Sequence, residues 1–113
     1  MRCVTNVKIR LSRDPDANGF GKGIVQLLEG VERLGSINKA TGEMGMAYSK
    51  AWKIINAVEK EFGVQLIDRD GARGSAITPE AKEMISRYHE MNDAAQKAAE
   101  AVFRKYYGEP EKL

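Results

Sequence analysis

The chain has 113 residues, 42% of them hydrophobic, which is enough for one core and too few for two ordinary domains. Its 18 basic and 16 acidic residues leave a net charge of +2, compatible with nucleic-acid contact but short of the strongly basic footprint that would argue for it unaided. Cys3 is the only cysteine, so no disulfide framework or cysteine-rich metal site lies within the chain; no apolar run has the length to cross a bilayer, and the N-terminus alternates where a signal peptide would be solidly apolar, so cytoplasmic residence is the expectation.

Val7, Ile9 and Leu11 alternate with Lys8, Arg10 and Ser12, which predicts an N-terminal strand, half buried, with a basic outer face. Residues 14–23, DPDANGFGKG, are dense in turn formers and read as a loop between that strand and a helix. Their glycines have neither the spacing nor the Lys-Ser/Thr ending of a phosphate-cradling loop. Ile24, Leu27, Leu28, Val31 and Leu34 then mark a first helix. Gly35 suits the left-handed end of that helix, and the Ser36 hydroxyl can cap the next. Ile37, Ala40, Thr41 and Met44 form one face of a second helix; Gly45 breaks it, and Ala51, Ile55, Val58 and Phe62 resume the period in a third. Two short amphipathic helices hinged at a glycine make a helix-turn-helix, with the first helix covering both.

Opposite the apolar stripe of the third helix lie Ser49, Lys53, Asn56 and Lys60, flanked by Lys50 and Trp52. Hydroxyl, amide and ammonium groups suit phosphates and base edges, and in a helix-turn-helix the second helix of the motif enters the DNA major groove. Tyr48, Ser49, Lys50, Lys53 and Asn56 are therefore the expected groove-facing set, with Asn56 suited to adenine and Lys53 to guanine. Leu66-Ile67, an Asp70-Gly71 turn and Ala76-Ile77 predict a short hairpin, the wing. Arg69 and Arg73 sit on or beside its turn, where they, with Lys60, are expected to hold phosphates. The local charge is nearly balanced: residues 35–77 hold six basic and five acidic side chains.

Thr78-Pro79-Glu80 is a helix start, with a hydroxyl cap, a proline at the first helical position and an acid at the positive end of the dipole. From there Met84, Tyr88, Met91, Ala95, Ala98 and Val102 recur at spacings of four and three, a heptad seam that predicts a dimer interface. A helix to Tyr107 would be about 43 Å long, more than a small domain can cover. Residues 1–78 are thus expected to form a winged helix-turn-helix domain, and 79–113 a long C-terminal dimerisation helix with a short tail, in a mainly α fold.

No catalytic or metal constellation accompanies these elements. His89, the sole histidine, has no cysteine or second histidine at ligand spacing, and no serine has a histidine and acid to serve it. Glu59 and Glu61, like Asp68 and Asp70, point to different faces of their elements and read as solvated surface. The expectation is no enzyme, no cofactor and no metal.

Gly35-Ser36-Ile37, then Ala40, the run MGMAY ending at Tyr48, and Ala51-Trp52, followed by Phe62-Gly63, Leu66-Ile67 and a threonine before a new helix, resemble the N-terminal domain of the molybdate-responsive, ModE-type transcriptional regulators. More distantly, the stretch is similar to LysR-type DNA-binding domains. Two departures stand out: Ala47 occupies a position where the ModE family usually has serine, and DRDGARGSA replaces a more glycine-rich, basic turn. Full-length ModE-type members continue into an oxyanion-binding domain with no counterpart in this sequence. The resemblance therefore implies DNA binding, and no molybdate binding is expected. The reading is a homodimeric, sequence-specific transcriptional regulator on a palindromic double-stranded operator; the alternative is a winged-helix module that binds another protein and no DNA.

Overall fold

A computed structural model describes residues 1–69 and 75–109. Four helices, α1 (Lys22–Leu34), α2 (Ile37–Met44), α3 (Tyr48–Phe62) and α4 (Pro79–Tyr107), are joined by one antiparallel hairpin, β1 (Ile67–Asp68) and β2 (Ala76–Ile77), between α3 and α4. The local chemistry accounts for the boundaries. Gly35, Gly45 and Gly63 end the first three helices with φ of 65–70°. The Ser36 hydroxyl accepts from Lys39 N–H at 3.2 Å. Thr78 Oγ1 accepts from Ala81 N–H at 3.1 Å, ahead of Pro79 at the start of α4.

The core forms where the three short helices and the hairpin face one another. Leu27, Leu28 and Val31 of α1, Ile37 and Ala40 of α2, Ala51, Ile55 and Val58 of α3, and Leu66 and Ile67 at the wing root are at most 2% exposed. Ile67 pairs with Ile77 and Asp68 with Ala76, so both isoleucines turn inward on the same face of the hairpin. The Ser75 N–H donates to the Gly35 carbonyl at 3.0 Å, tying the second wing strand to the turn between α1 and α2.

The N-terminal strand is not formed. Leu11 pairs with Phe20 in a single antiparallel bridge, N–H to carbonyl in both directions at 2.9 and 2.6 Å, and Val7 is 40% exposed. An alternating pattern becomes a strand only against a partner edge, and the returning segment has one paired residue before α1 begins at Lys22. The bridge fixes the loop in other ways. Gly19 has φ of +71°, and a Cβ there would lie 2.6 Å from the Leu11 carbonyl oxygen, so only glycine fits. Phe20, next to it, is fully buried in the core.

The long helix divides at Tyr88. Ala81, Ile85 and Tyr88 are buried and pack with the domain's own core, with Met84 half-buried against it. Tyr88 and Met84 thus join their own chain's core, where the heptad reading set them in a seam between chains. Beyond them no side chain of α4 is buried: Met91 is 36% and Val102 57% exposed, Ala95 is half-buried and Ala98 exposed. His89 Nε2 lies 2.9 Å from a Glu29 carboxylate oxygen, linking α4 to α1 beside the buried Tyr88. Among the described residues no helix is long and apolar enough to cross a membrane.

Candidate nucleic-acid interface

Helix α3 is fixed by its inner stripe, Ala51, Ile55 and Val58, all 0% exposed. That burial turns Tyr48, Ser49, Lys50, Lys53, Asn56 and Lys60 outward, and all six are exposed. No ion pair is formed by Lys50, Lys53 or Lys60 among the described residues, which leaves three cations on a face with an amide, a hydroxyl and a phenol. Ala47 precedes the helix in extended conformation and offers no side-chain cap, so the first-turn N–H groups of α3 have no such acceptor.

Arg69, at the end of β1, does not reach away from this face. It folds back onto α3, where its two Nη atoms donate to the Glu59 carboxylate at 2.8 and 3.2 Å and Nη2 donates to Asn56 Oδ1 at 3.1 Å. Its guanidinium carbon stands 5.0 Å from the Trp52 ring centroid, a cation–π contact. Tyr48 meets the same indole edge-on, with centroids 6.4 Å apart. Asn56, expected to read bases, and Arg69, expected to hold phosphates, are thus hydrogen-bonded to one another in one cluster. Arg73 lies outside the described residues.

Glu59 is the hub of this cluster. One of its oxygens accepts from Leu66 N–H at 2.7 Å and Ile67 N–H at 3.4 Å as well as from Arg69. Burial would raise the Glu59 carboxyl, but the Arg69 guanidinium and the two backbone N–H groups outweigh it and hold the group below its usual range. Glu61, two residues on, clasps the opposite flank: it accepts from Arg13 N–H at 2.7 Å, Ser12 Oγ–H at 3.0 Å and Gly19 N–H at 3.1 Å. The Arg13 N–H is the main reason that its carboxyl is also held low. Neither glutamate is the solvated surface that the sequence suggests; each fastens α3 to a different neighbouring segment. Sequence spacing held a partial signal, since Trp52, Asn56 and Glu59 stand four and three apart and so share one side of the helix. Among the described residues no group of three potential metal ligands occurs.

The three-helix frame with its wing root has counterparts among solved structures. The CbnR DBD in its DNA complex superposes with a TM-score of 0.57 at 15% identity, over 74% of this chain and 95% of that one. The BenM DBD with benA site 1 DNA gives 0.56 at 22% identity, over 73% and 94%. These likenesses show the fold. In sequence, the HTH-type transcriptional regulator TdcA of Escherichia coli strain K12 is 33% identical over 88 residues, and the match takes in 71% of this chain but only 28% of TdcA. The chain thus spans little more than a quarter of the length of the curated relatives it matches. Residues 24–82, from the buried side of α1 through the first turn of α4, match the bacterial regulatory helix-turn-helix proteins of the lysR family, and with more than half of its length inside that pattern the chain belongs to this family.

Proposed function

We propose that this chain is a sequence-specific DNA-binding unit of a transcriptional regulator, acting in the cytoplasm on a palindromic operator and carrying out no catalysis. The observation that supports it is the outer face of α3: three lysines, unpaired among the described residues, with Ser49 and Asn56, directed outward by a buried stripe, in a fold shared with domains solved in complex with DNA. Lysines neutralise phosphates, and amide and hydroxyl groups read base edges. A finer kinship with the molybdate-responsive regulators rests on Gly35-Ser36-Ile37 and on Tyr48-x-x-Ala51-Trp52. Those residues form the turn and helix; they are not an oxyanion site, so molybdate is not expected to bind.

Fragments selected from sheared genomic DNA supply the duplex for the test. Binding to that duplex should weaken steeply with salt, and Lys53→Ala should lower the slope of log affinity against log salt by about one unit. Salt-independent binding, or none, would turn the reading toward a protein-binding winged helix.

Dimerisation through α4 belongs to the same proposal. Met91, Ala95, Ala98 and Val102 lie on one side of the helix beyond the domain's own core, and none of them is buried. Sedimentation equilibrium at micromolar concentration should show a dimer, and Met91→Glu with Val102→Glu should give a monomer of unchanged helix content. A wild-type monomer at that concentration would remove α4 as the interface.

A further inference from the structure

We propose that Arg69 determines which base Asn56 can read, by turning the amide so that its NH2 group faces outward and guanine is favoured over adenine. This rests on the DNA-binding reading above and specifies its base preference. The assignment of the amide follows from chemistry: a guanidinium has only donors, so the atom of Asn56 that lies 3.1 Å from Arg69 Nη2 must be the carbonyl oxygen. The amide nitrogen then takes the other side. Arg69 is itself held from two further directions, by the Glu59 carboxylate and the Trp52 ring, so it is a fixed partner for Asn56.

An unconstrained asparagine reads adenine by accepting from N6–H and donating to N7, side by side. Here one lone pair of Asn56 Oδ1 is already occupied by Arg69, so the amino group of adenine would have to share that oxygen with the guanidinium. Guanine presents two acceptors, O6 and N7, to the outward NH2 group, and that pairing leaves the Asn56 oxygen with Arg69. Cytosine, with its N4 donor, would likewise have to share Oδ1 with Arg69. Arg69 is thus a positioning residue for base readout.

The test is selection from a randomised duplex library with the full chain, its Asn56→Ala variant and its Arg69→Met variant, which keeps an unbranched side chain at that position and removes the donors. In the wild type one base pair should favour guanine by about tenfold, the size of one good base-edge contact. Asn56→Ala should flatten the preference at that base pair alone, which locates it. Arg69→Met should shift that position from guanine toward adenine by a similar factor. The inference is overturned if the wild type selects any other base there, if Asn56→Ala leaves every position unchanged, or if Arg69→Met retains guanine. The wild-type and Asn56→Ala selections decide the base preference even if Arg69→Met does not fold, because an exposed helix residue is all that changes between them. If the wild type enriches no sequence, the DNA-binding reading itself fails, an outcome separate from a selected motif with the wrong base.

Discussion

Phe20→Ala should cost about 4 kcal/mol of folding stability, a large part of what a domain of this size has to lose. The side chain is 0% exposed, and it comes from a loop whose backbone is pinned on both sides: Phe20 exchanges two hydrogen bonds with Leu11, and Gly19 admits no Cβ. A loop so fixed cannot collapse into the space that a ring leaves, which is the condition under which large-to-small substitutions cost most. Phe20→Leu should recover more than half of the loss. Urea unfolding followed by far-UV circular dichroism measures both, and an unchanged midpoint for Phe20→Ala would place the ring outside the core.

Glu59→Ala should cost about 3 kcal/mol, because it removes a charge-assisted partner from Arg69 and leaves the backbone N–H groups of Leu66 and Ile67 without an acceptor. Glu59→Gln, which keeps one acceptor oxygen, should cost less. The pH dependence has a definite sign. The folded-state carboxyl sits below its ordinary value of 4.5, so the stability it contributes is fully present above that value and is lost as pH falls through the lower folded-state value. The gap in melting temperature between wild type and Glu59→Gln should therefore be constant from pH 7 to about pH 5 and narrow below pH 4. A gap that widened with acid would mean that Glu59 is not held ionised by these partners.

The three short helices were legible because their determinants are local. Gly35-Ser36, Gly45 and Thr78-Pro79 fix helix ends through contacts within a few residues, and the apolar period says which side is buried. What lies across that side is not local, and there the sequence was silent. The alternation at Val7–Leu11 implied a strand, but only Phe20 was there to pair. Glu59 and Glu61 looked like surface because the groups they hold, at Leu66, Arg69, Arg13 and Gly19, come from segments before and after the helix. Tyr88 fits a heptad seam and a domain core equally well by spacing, and the fold gives it to the core. The outward face of α3 could be named residue by residue, whereas the bond between Asn56 and Arg69 could not, since it spans 13 positions, from α3 past the turn at Gly63 to the residue after β1.

The two clasps both grip the last turn and a half of α3, while its first turn begins at an uncapped Ala47. Local opening should therefore be uneven along this one helix. Amides near Tyr48 and Ser49 can exchange with solvent through small fluctuations, whereas those near Glu59 and Glu61 open only when the wing root or the Ser12–Gly19 loop lets go. A helix built this way is rigid where it carries the wing and compliant where Ser49 and Lys50 are presented, so adjustment to different duplex geometries is confined to its leading turn and leaves the rest of the domain unmoved.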